Sequence, residues 1–163
     1  MQSTEKIWRN GSFVAWDDAQ VHVLTHALHY GTGVFEGIRA YATPEGTAVF
    51  RLNAHLERLR RSAALYEMDL GLSTAELAAA IHETIASNGV GSCYVRPIVF
   101  RGYGEMGLFA LNNPVDVAIA VWPWGAYLGE DALEQGVRIK VSSWRRNSQN
   151  SLPAGAKGSR RLG

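Results

Sequence analysis

Alternating apolar and polar residues at the start of the chain predict two β-hairpins. In KIWRNGSFVAW, two short apolar runs flank Asn10-Gly11, the dipeptide that best fits a type I′ turn. In VFEGIRAYATPEGTAVFRL, a strand near Val34–Tyr41 leads to a turn at Pro44–Gly46 and a return strand at Ala48–Leu52. The first part of the chain is therefore expected to contribute paired strands to a sheet.

The spacing of apolar residues then changes to that of helices. A first helix is predicted by the apolar positions Leu56, Leu59, Ala63 and Tyr66. Asn53 is its predicted N-cap. A second helix is predicted over STAELAAAIHETIASNG, because Ser73 and Glu76 have the spacing of a capping box and Gly89 is a typical stop.

Apolar runs of strand length return after the second helix. The segments SCYVRPIVFRG, VDVAIAVWPW and VRIKVSSWRR each predict a strand. Hairpins, two helices and further strands indicate a mixed sheet with helices packed on it, which is the α+β class. A change of composition near Gly125–Gly136 is the predicted domain boundary.

Composition supports a folded protein and excludes several classes of partner. The chain has 163 residues, of which 47% are hydrophobic and 19% charged, so it suits one domain or one domain plus part of a second. A net charge of +1 gives no reason to expect nucleic acid or a membrane surface as partner. The beginning of the chain lacks the apolar core of a signal peptide, and the single Cys93 fits a reducing compartment. A cytoplasmic location is therefore expected.

The segment THALHYGTGVFEGIRAY is the first candidate for a functional site. Its closely spaced glycines are typical of tight turns or of close approach by a ligand, although from the residues alone a bent entry into a strand is the favoured explanation. His26 and His29 have a spacing that could bind a metal ion, but no third ligand lies nearby in the sequence. No metal site is expected.

Two further stretches carry arginines that could bind an anion. Arg58 in HLERLRRSA is flanked by Leu56 and Leu59, so it is expected at the margin of the core, where its guanidinium could bind a phosphate. Tyr94 and Arg96 share one face of a strand, which suits either a pocket for a carboxylate or an exposed strand face.

The segment WPWGAY follows an apolar strand. Core filling explains Trp122, whereas Trp124 and Tyr127 lie in the following turn, where aromatic residues more often line a cleft. Lys157, near the end of the chain, is by itself typical of a solvated lysine.

Taken together, these stretches resemble the branched-chain aminotransferases, within the fold-type IV pyridoxal-phosphate enzymes. HYGTGVFEGIRAY, HLERL, YVRPIVF, WPWGAYLG and NSLPAGAK all match, and they occur in consistent order within about residues 7–157. The resemblance implies a small N-terminal α/β domain over residues 1–123, an interdomain loop over 124–135 and the start of a truncated larger domain over 136–163. The cofactor would lie in the cleft between the domains.

The resemblance also implies roles for individual residues. Lys157 matches the lysine that forms an internal aldimine with pyridoxal 5′-phosphate, and Arg58 matches the arginine that contacts the cofactor phosphate. Arg96 matches the arginine associated with the distal carboxylate of glutamate. The aromatic residues that match those enclosing the substrate are Tyr30, Phe35, Tyr94, Trp124 and Tyr127. Tyr30 and Leu108 match positions that reach across a dimer interface.

The expected function is transfer of the amino group of leucine, isoleucine or valine to 2-oxoglutarate by a homodimer or higher homo-oligomer. Family members are about twice as long as this chain, so part of the site is expected to be missing, including the acidic residue that pairs with the pyridine nitrogen. The chain is therefore not expected to be fully active alone. Two alternatives stay open: a D-amino-acid transaminase or aminodeoxychorismate lyase of the same fold, and a non-catalytic dimerising or binding fragment.

Overall fold

The computed structural model describes residues 2–123, 135–145, 148 and 155–159. The strands are β1 Lys6–Arg9, β2 Ser12–Ala15, β3 Gly33–Phe35, β4 Ile38–Thr43, β5 Gly46–Val49, β6 Cys93–Arg101 and β7 Val115–Pro123. The helices are α1 His26–Tyr30, α2 Leu52–Ala64 and α3 Thr74–Ser87, with a 3-10 turn at Trp16–Asp18. None of the helices found among the described residues is long and apolar enough to cross a membrane.

The strands form one sheet in the order β2-β1-β7-β6-β4-β5, with β3 also paired to β6. All the strand pairs are antiparallel within the described part of the chain, where the sequence predicted a mixed sheet. The crossover through α2 and α3 joins β5 to β6, which run parallel but flank β4. Because β4 lies between β5 and β6, the connection through the two helices does not place two parallel strands side by side. The predicted α+β class is confirmed.

The two long helices cover one face of the sheet and build the core there. Alternate residues of the central strands β6 and β7, such as Val95 and Ile119, are fully buried against Leu56 of α2 and Leu77 of α3. The neighbouring positions on β6 face the other way and are only half-buried. This second face carries Tyr94 and Arg96, so the sheet separates a helix-covered core from a more open polar side.

Two local predictions are confirmed and one is wrong. Asn10 and Gly11 have the positive φ angles of 48° and 94° that a type I′ hairpin turn requires. Ser73 caps α3 in a complete capping box. Asn53 is not the N-cap of α2, because the helix begins at Leu52 after Arg51, whose backbone is left-handed with φ 52° and whose side chain makes no capping bond.

The predicted strand over Val34–Tyr41 is interrupted. It divides into β3 and β4, and Glu36 and Gly37 lie between them. Glu36 N donates to Pro97 O on β6 at 2.9 Å, but proline has no N–H with which to return the bond. Glu36 therefore keeps one bond of the ladder and lacks the other.

The predicted strand in VRIKVSSWRR is wrong within residues 137–145, where the structure has no strand. None of the strand pairs in the described part of the chain includes this segment, and its apolar side chains are exposed, namely Val137, Ile139, Val141 and Trp144. The predicted boundary at 124–135 falls almost entirely outside the described residues and stays a prediction.

Candidate active site

Lys157 lies against the sheet rather than on a detached tail. Its backbone N–H donates to Ser62 Oγ of α2 at 3.0 Å, and its carbonyl accepts from Phe35 N of β3 at 3.2 Å. The next residue, Gly158, forms an antiparallel bridge with Val34. The side chain keeps 34% of its surface exposed. The amine is therefore held at the surface of the folded unit, at the end of β3.

Glu36 is a buried acid that is contacted by the basic side chains of Arg58, His55 and Lys157. Its carboxylate is fully buried, and Arg58 donates to both oxygens, from Nε to Oε1 at 2.5 Å and from Nη2 to Oε2 at 2.7 Å. His55 Nδ1 donates to Oε2 at 2.9 Å, and Lys157 Nζ lies 3.6 Å from the same oxygen. Three segments distant in sequence, represented by Glu36, α2 and Lys157, meet at this point.

The cluster keeps Glu36 ionised. Burial alone would raise the pKa of Glu36, but hydrogen bonds from Arg58 and His55 and the charges of Lys157 and Arg58 lower the pKa below its usual value. The same carboxylate raises the pKa of Arg58. A buried charge is stable only when it is paired in this way, so these side chains form one electrostatic unit at neutral pH.

Arg96 lies on the open face of the sheet among aromatic rings. Its guanidinium carbon is 4.7 Å from the ring centre of Phe35, 5.3 Å from Tyr94 and 5.8 Å from Trp122. Its Nε is buried and has no hydrogen-bond partner among the described residues. A buried N–H without an acceptor favours binding of an added anion, since the donor is costly to leave unpaired.

Gly37 allows the backbone to approach Tyr94 closely. A Cβ atom at this position would lie 1.8 Å from Tyr94 Oη and 2.8 Å from its Cζ. Any side chain would push the tyrosine away from its place beside Trp122, whose ring centre is 5.1 Å from that of Tyr94. The close approach at Gly37 is therefore made by the Tyr94 side chain, and the approach of a ligand to this segment stays a prediction.

Phe35 connects the two parts of the site. Its ring lies 5.4 Å from Lys157 Nζ on one side and 4.7 Å from the Arg96 guanidinium on the other. The structure thus brings together five of the residues singled out in the sequence, namely Phe35, Arg58, Tyr94, Arg96 and Lys157.

Tyr30 and Leu108 lie elsewhere, at an edge formed by α1 and the loop after β6. Tyr30 stacks on His26 with ring centres 4.4 Å apart, and His26 Nε2 lies 2.8 Å from the carbonyl oxygen of Gly107. Leu108 is 95% exposed. The two residues are therefore associated with each other through His26. Trp124 and Tyr127 lie outside the described residues.

Sequence reasoning missed three contributors to this region. Glu36 and His55 received no role, although an acidic residue between Phe35 and Gly37 in an otherwise apolar stretch is a detectable signal. Trp122, interpreted as core filling, instead lies on the open face opposite Tyr94 in the β6–β7 register. Its position alternates with the buried Val121, which is the signal that could have placed it.

The described side chains fit a cofactor that carries an aldehyde and a phosphate. A primary amine can condense with an aldehyde, and Lys157 presents one that is partly exposed. The Arg58 side chain is 42% exposed even though Glu36 holds one edge of its guanidinium, so its other edge remains accessible to an anion.

Comparisons with known proteins show the family to which the chain belongs. The model of the amino-transferase class IV family matches residues 33–163. The branched-chain-amino-acid aminotransferase of Pseudomonas aeruginosa (strain PAO1) is 51% identical over 144 residues, covering 88% of this chain and 47% of that protein. The chain thus spans about half the length of the curated relatives it matches.

Two solved structures show the same fold. The T.th. branched-chain amino acid aminotransferase with pyridoxamine 5′-phosphate has a TM-score of 0.91 and 45% identity, covering 99% of this chain and 53% of that one. The same enzyme complexed with N-(5′-phosphopyridoxyl)-L-glutamate has a TM-score of 0.89 and 41% identity, covering 99% and 52%.

Proposed function

Because this chain belongs to the amino-transferase class IV family, we propose that its protein transfers the amino group of leucine, isoleucine or valine to 2-oxoglutarate, with pyridoxal 5′-phosphate as cofactor. The observation that carries the proposal is the convergence of Lys157, Arg58 and Arg96 around Phe35 and Glu36. An amine and two guanidinium groups in one region suit a phosphorylated aldehyde and a dicarboxylic acid.

Pyridoxal phosphate, when bound, supplies an aldehyde and an electron-withdrawing ring. Lys157 would hold the cofactor through its amine and, once released by the amino group of the substrate, would take the proton from the substrate Cα. Arg58 would bind the phosphate with the guanidinium edge that Glu36 leaves free. The backbone bonds of Lys157 to Phe35 and Ser62 fix the origin of the lysine side chain while leaving its end free to move.

The proposed pocket has to accept two unlike substrates in turn. Phe35, Tyr94 and Trp122 offer apolar surface for a branched aliphatic side chain. Arg96, whose Nε has no partner among the described residues, offers a charged donor for the distal carboxylate of 2-oxoglutarate. One guanidinium surrounded by rings thus suits both substrates.

The direct test is transamination by the purified protein with pyridoxal phosphate. We expect turnover of L-leucine with 2-oxoglutarate, measured by coupled detection of glutamate, and much slower turnover of D-alanine. Turnover of D-alanine alone would instead support the D-amino-acid transaminase alternative. Turnover of neither amino donor would reject transamination by this chain and would support the alternative of a non-catalytic dimerising or binding fragment.

Replacing Arg96 with alanine is expected to affect the two substrates unequally. The KM for 2-oxoglutarate should rise by about tenfold or more, since a charge-assisted contact is lost, while the KM for leucine should change by less than about threefold. Arg96→Lys, which keeps the charge but not the planar donor pair, should give an intermediate KM for 2-oxoglutarate. Equal losses for both substrates would refute this role.

We also propose that the protein is a homodimer in the cytoplasm and that Tyr30 and Leu108 lie at its interface. The edge that carries them exposes apolar side chains, including Leu28 at 62%, Leu108 at 95% and Phe109 at 73%. Leu108→Lys is expected to shift the protein toward monomer in sedimentation experiments. The control Phe50→Lys changes a residue that is 60% exposed at the end of β5 and should leave the dimer intact. A dimer that is unaffected by both changes would exclude this edge.

A further inference from the structure

Glu36 is the one fully buried acid in the described part of the chain, and the proposed reaction assigns it no role. Neither of its carboxylate oxygens is exposed to solvent, and both accept hydrogen bonds. Oε1 accepts from Arg58, and Oε2 accepts from Arg58 and His55. Burying a charge costs free energy, and an apolar residue at this position could stabilise the core equally well. The buried carboxylate is therefore expected to hold another side chain in place.

The contact with Arg58 fixes the orientation of a flexible side chain. Nε and Nη2 bind the two carboxylate oxygens side-on, at 2.5 Å and 2.7 Å, so the plane of the guanidinium is determined. Arg58 lies on α2, and its side chain is 42% exposed, so the edge turned away from Glu36 is available to a ligand. His55, one helical turn earlier, binds the same carboxylate and restricts it further.

The contact with Lys157 is of a different kind. Its Nζ lies 3.6 Å from Glu36 Oε2, which is an electrostatic approach rather than a hydrogen bond. The amine is therefore attracted to the carboxylate without being fixed by it. Glu36 consequently orders the arginine and leaves the lysine free to react.

We propose that Glu36 is a positioning residue that fixes the Arg58 guanidinium in advance toward the phosphate of the cofactor. This inference rests on the proposed function. An arginine that is already ordered loses little conformational freedom when the phosphate binds, whereas an arginine without its carboxylate partner must be ordered by the ligand itself. Glu36 acts on the phosphate only through Arg58, and its one approach to a reacting atom is the 3.6 Å separation between Oε2 and Lys157 Nζ.

The test compares the affinity of the full chain for pyridoxal 5′-phosphate with its affinity for pyridoxal, which lacks the phosphate. Both are measured by absorbance titration of the wild type and of Glu36→Gln, which keeps the size of the side chain but removes its charge. We expect the affinity for pyridoxal phosphate to fall by about tenfold and the affinity for pyridoxal to change by less than about threefold. Glu36→Asp, which keeps the charge, should recover part of the difference.

Two further variants separate positioning from general damage. Glu57→Gln makes the same chemical change at an exposed residue next to Arg58 and should leave both affinities unchanged. Arg58→Gln should itself remove the preference for the phosphorylated form. In that background, Glu36→Gln should have little additional effect on pyridoxal phosphate affinity, because the residue acts through Arg58.

The outcomes distinguish this inference from the proposed function. Equal weakening of pyridoxal phosphate and pyridoxal by Glu36→Gln, or independent effects of the Glu36 and Arg58 changes, would overturn the inference and leave the proposed function standing. A wild-type protein that binds neither compound would overturn both. If Glu36→Gln does not fold, the affinity ratio measured in Glu36→Asp decides, and an unchanged ratio there counts against the inference.

Discussion

Replacing Lys157 with alanine is expected to abolish transamination, lowering kcat by more than about 1000-fold. Lys157 is the amine that the backbone bonds to Phe35 and Ser62 hold beside the Glu36–Arg58 pair, and the described residues offer no second lysine in this cluster. Both proposed tasks of its amine, binding the cofactor covalently and moving the proton at the substrate Cα, would be lost together. The rate is measured with leucine and 2-oxoglutarate under saturating cofactor.

The same variant should lose the visible absorbance that borohydride abolishes in the wild type. Lys157→Arg keeps a positive charge beside Glu36 but remains protonated, so it should be as inactive as the alanine variant. Lys140→Ala removes an exposed lysine and should retain full activity. Substantial turnover by Lys157→Ala, with its far-UV spectrum unchanged, would show that another group carries the reaction and would reject the assignment.

The parts of the fold that were predictable are those that depend on neighbours in sequence. The capping box of α3 needs only Ser73 and Glu76, whose reciprocal bonds are present at 3.2 Å and 2.7 Å. The first hairpin needs only a dipeptide that tolerates positive φ, and Asn10-Gly11 provides it. Such signals are contained within four residues or fewer, so a linear pattern can carry them.

The errors have two origins, a distant residue in one case and local features of the chain in the others. The strand through Glu36 is interrupted because Pro97, on a strand far along the chain, lies opposite and lacks an N–H. The face of Trp122 follows from a local signal, its alternation with the buried Val121. The start of α2 follows from Arg51 in a left-handed conformation, which its sequence does not favour.

The sequence predicted several residues of the candidate site, but it did not predict how their side chains pair with one another. Arg58 was expected at the margin of the core because two leucines flank it, and its side chain is indeed 42% exposed. Its partner, Glu36, could not be deduced from local pattern, since the pair joins the β3–β4 junction to the second turn of a helix. The electrostatic unit that links Arg58 to Lys157 therefore became visible only in the folded structure.

Replacing Arg101 with methionine is expected to lower the free energy of unfolding by about 3–5 kcal/mol. Arg101 is 3% exposed, and its guanidinium donates to four backbone carbonyl oxygens, those of Tyr66, Glu67, Ala110 and Leu111. Methionine would fill much of the volume but would remove the bonds to all four carbonyls, of which only that of Ala110 keeps another donor, the N–H of Asn113, among the described residues. One of them belongs to Glu67, which has an uncommon positive φ of 52°, so the arginine also holds a strained backbone.

The loss is measured as a lower urea midpoint at an unchanged m-value. Arg101→Lys has one nitrogen in place of a planar fork, so it should reach fewer of the carbonyls and lose an intermediate amount of stability. Arg61→Met replaces an exposed arginine on α2 and should change stability by less than about 0.5 kcal/mol. A loss below about 1 kcal/mol in Arg101→Met would mean that water satisfies the carbonyls when the arginine is removed, and that the segment after α2 is not held to the loop of Ala110 and Leu111 by this side chain.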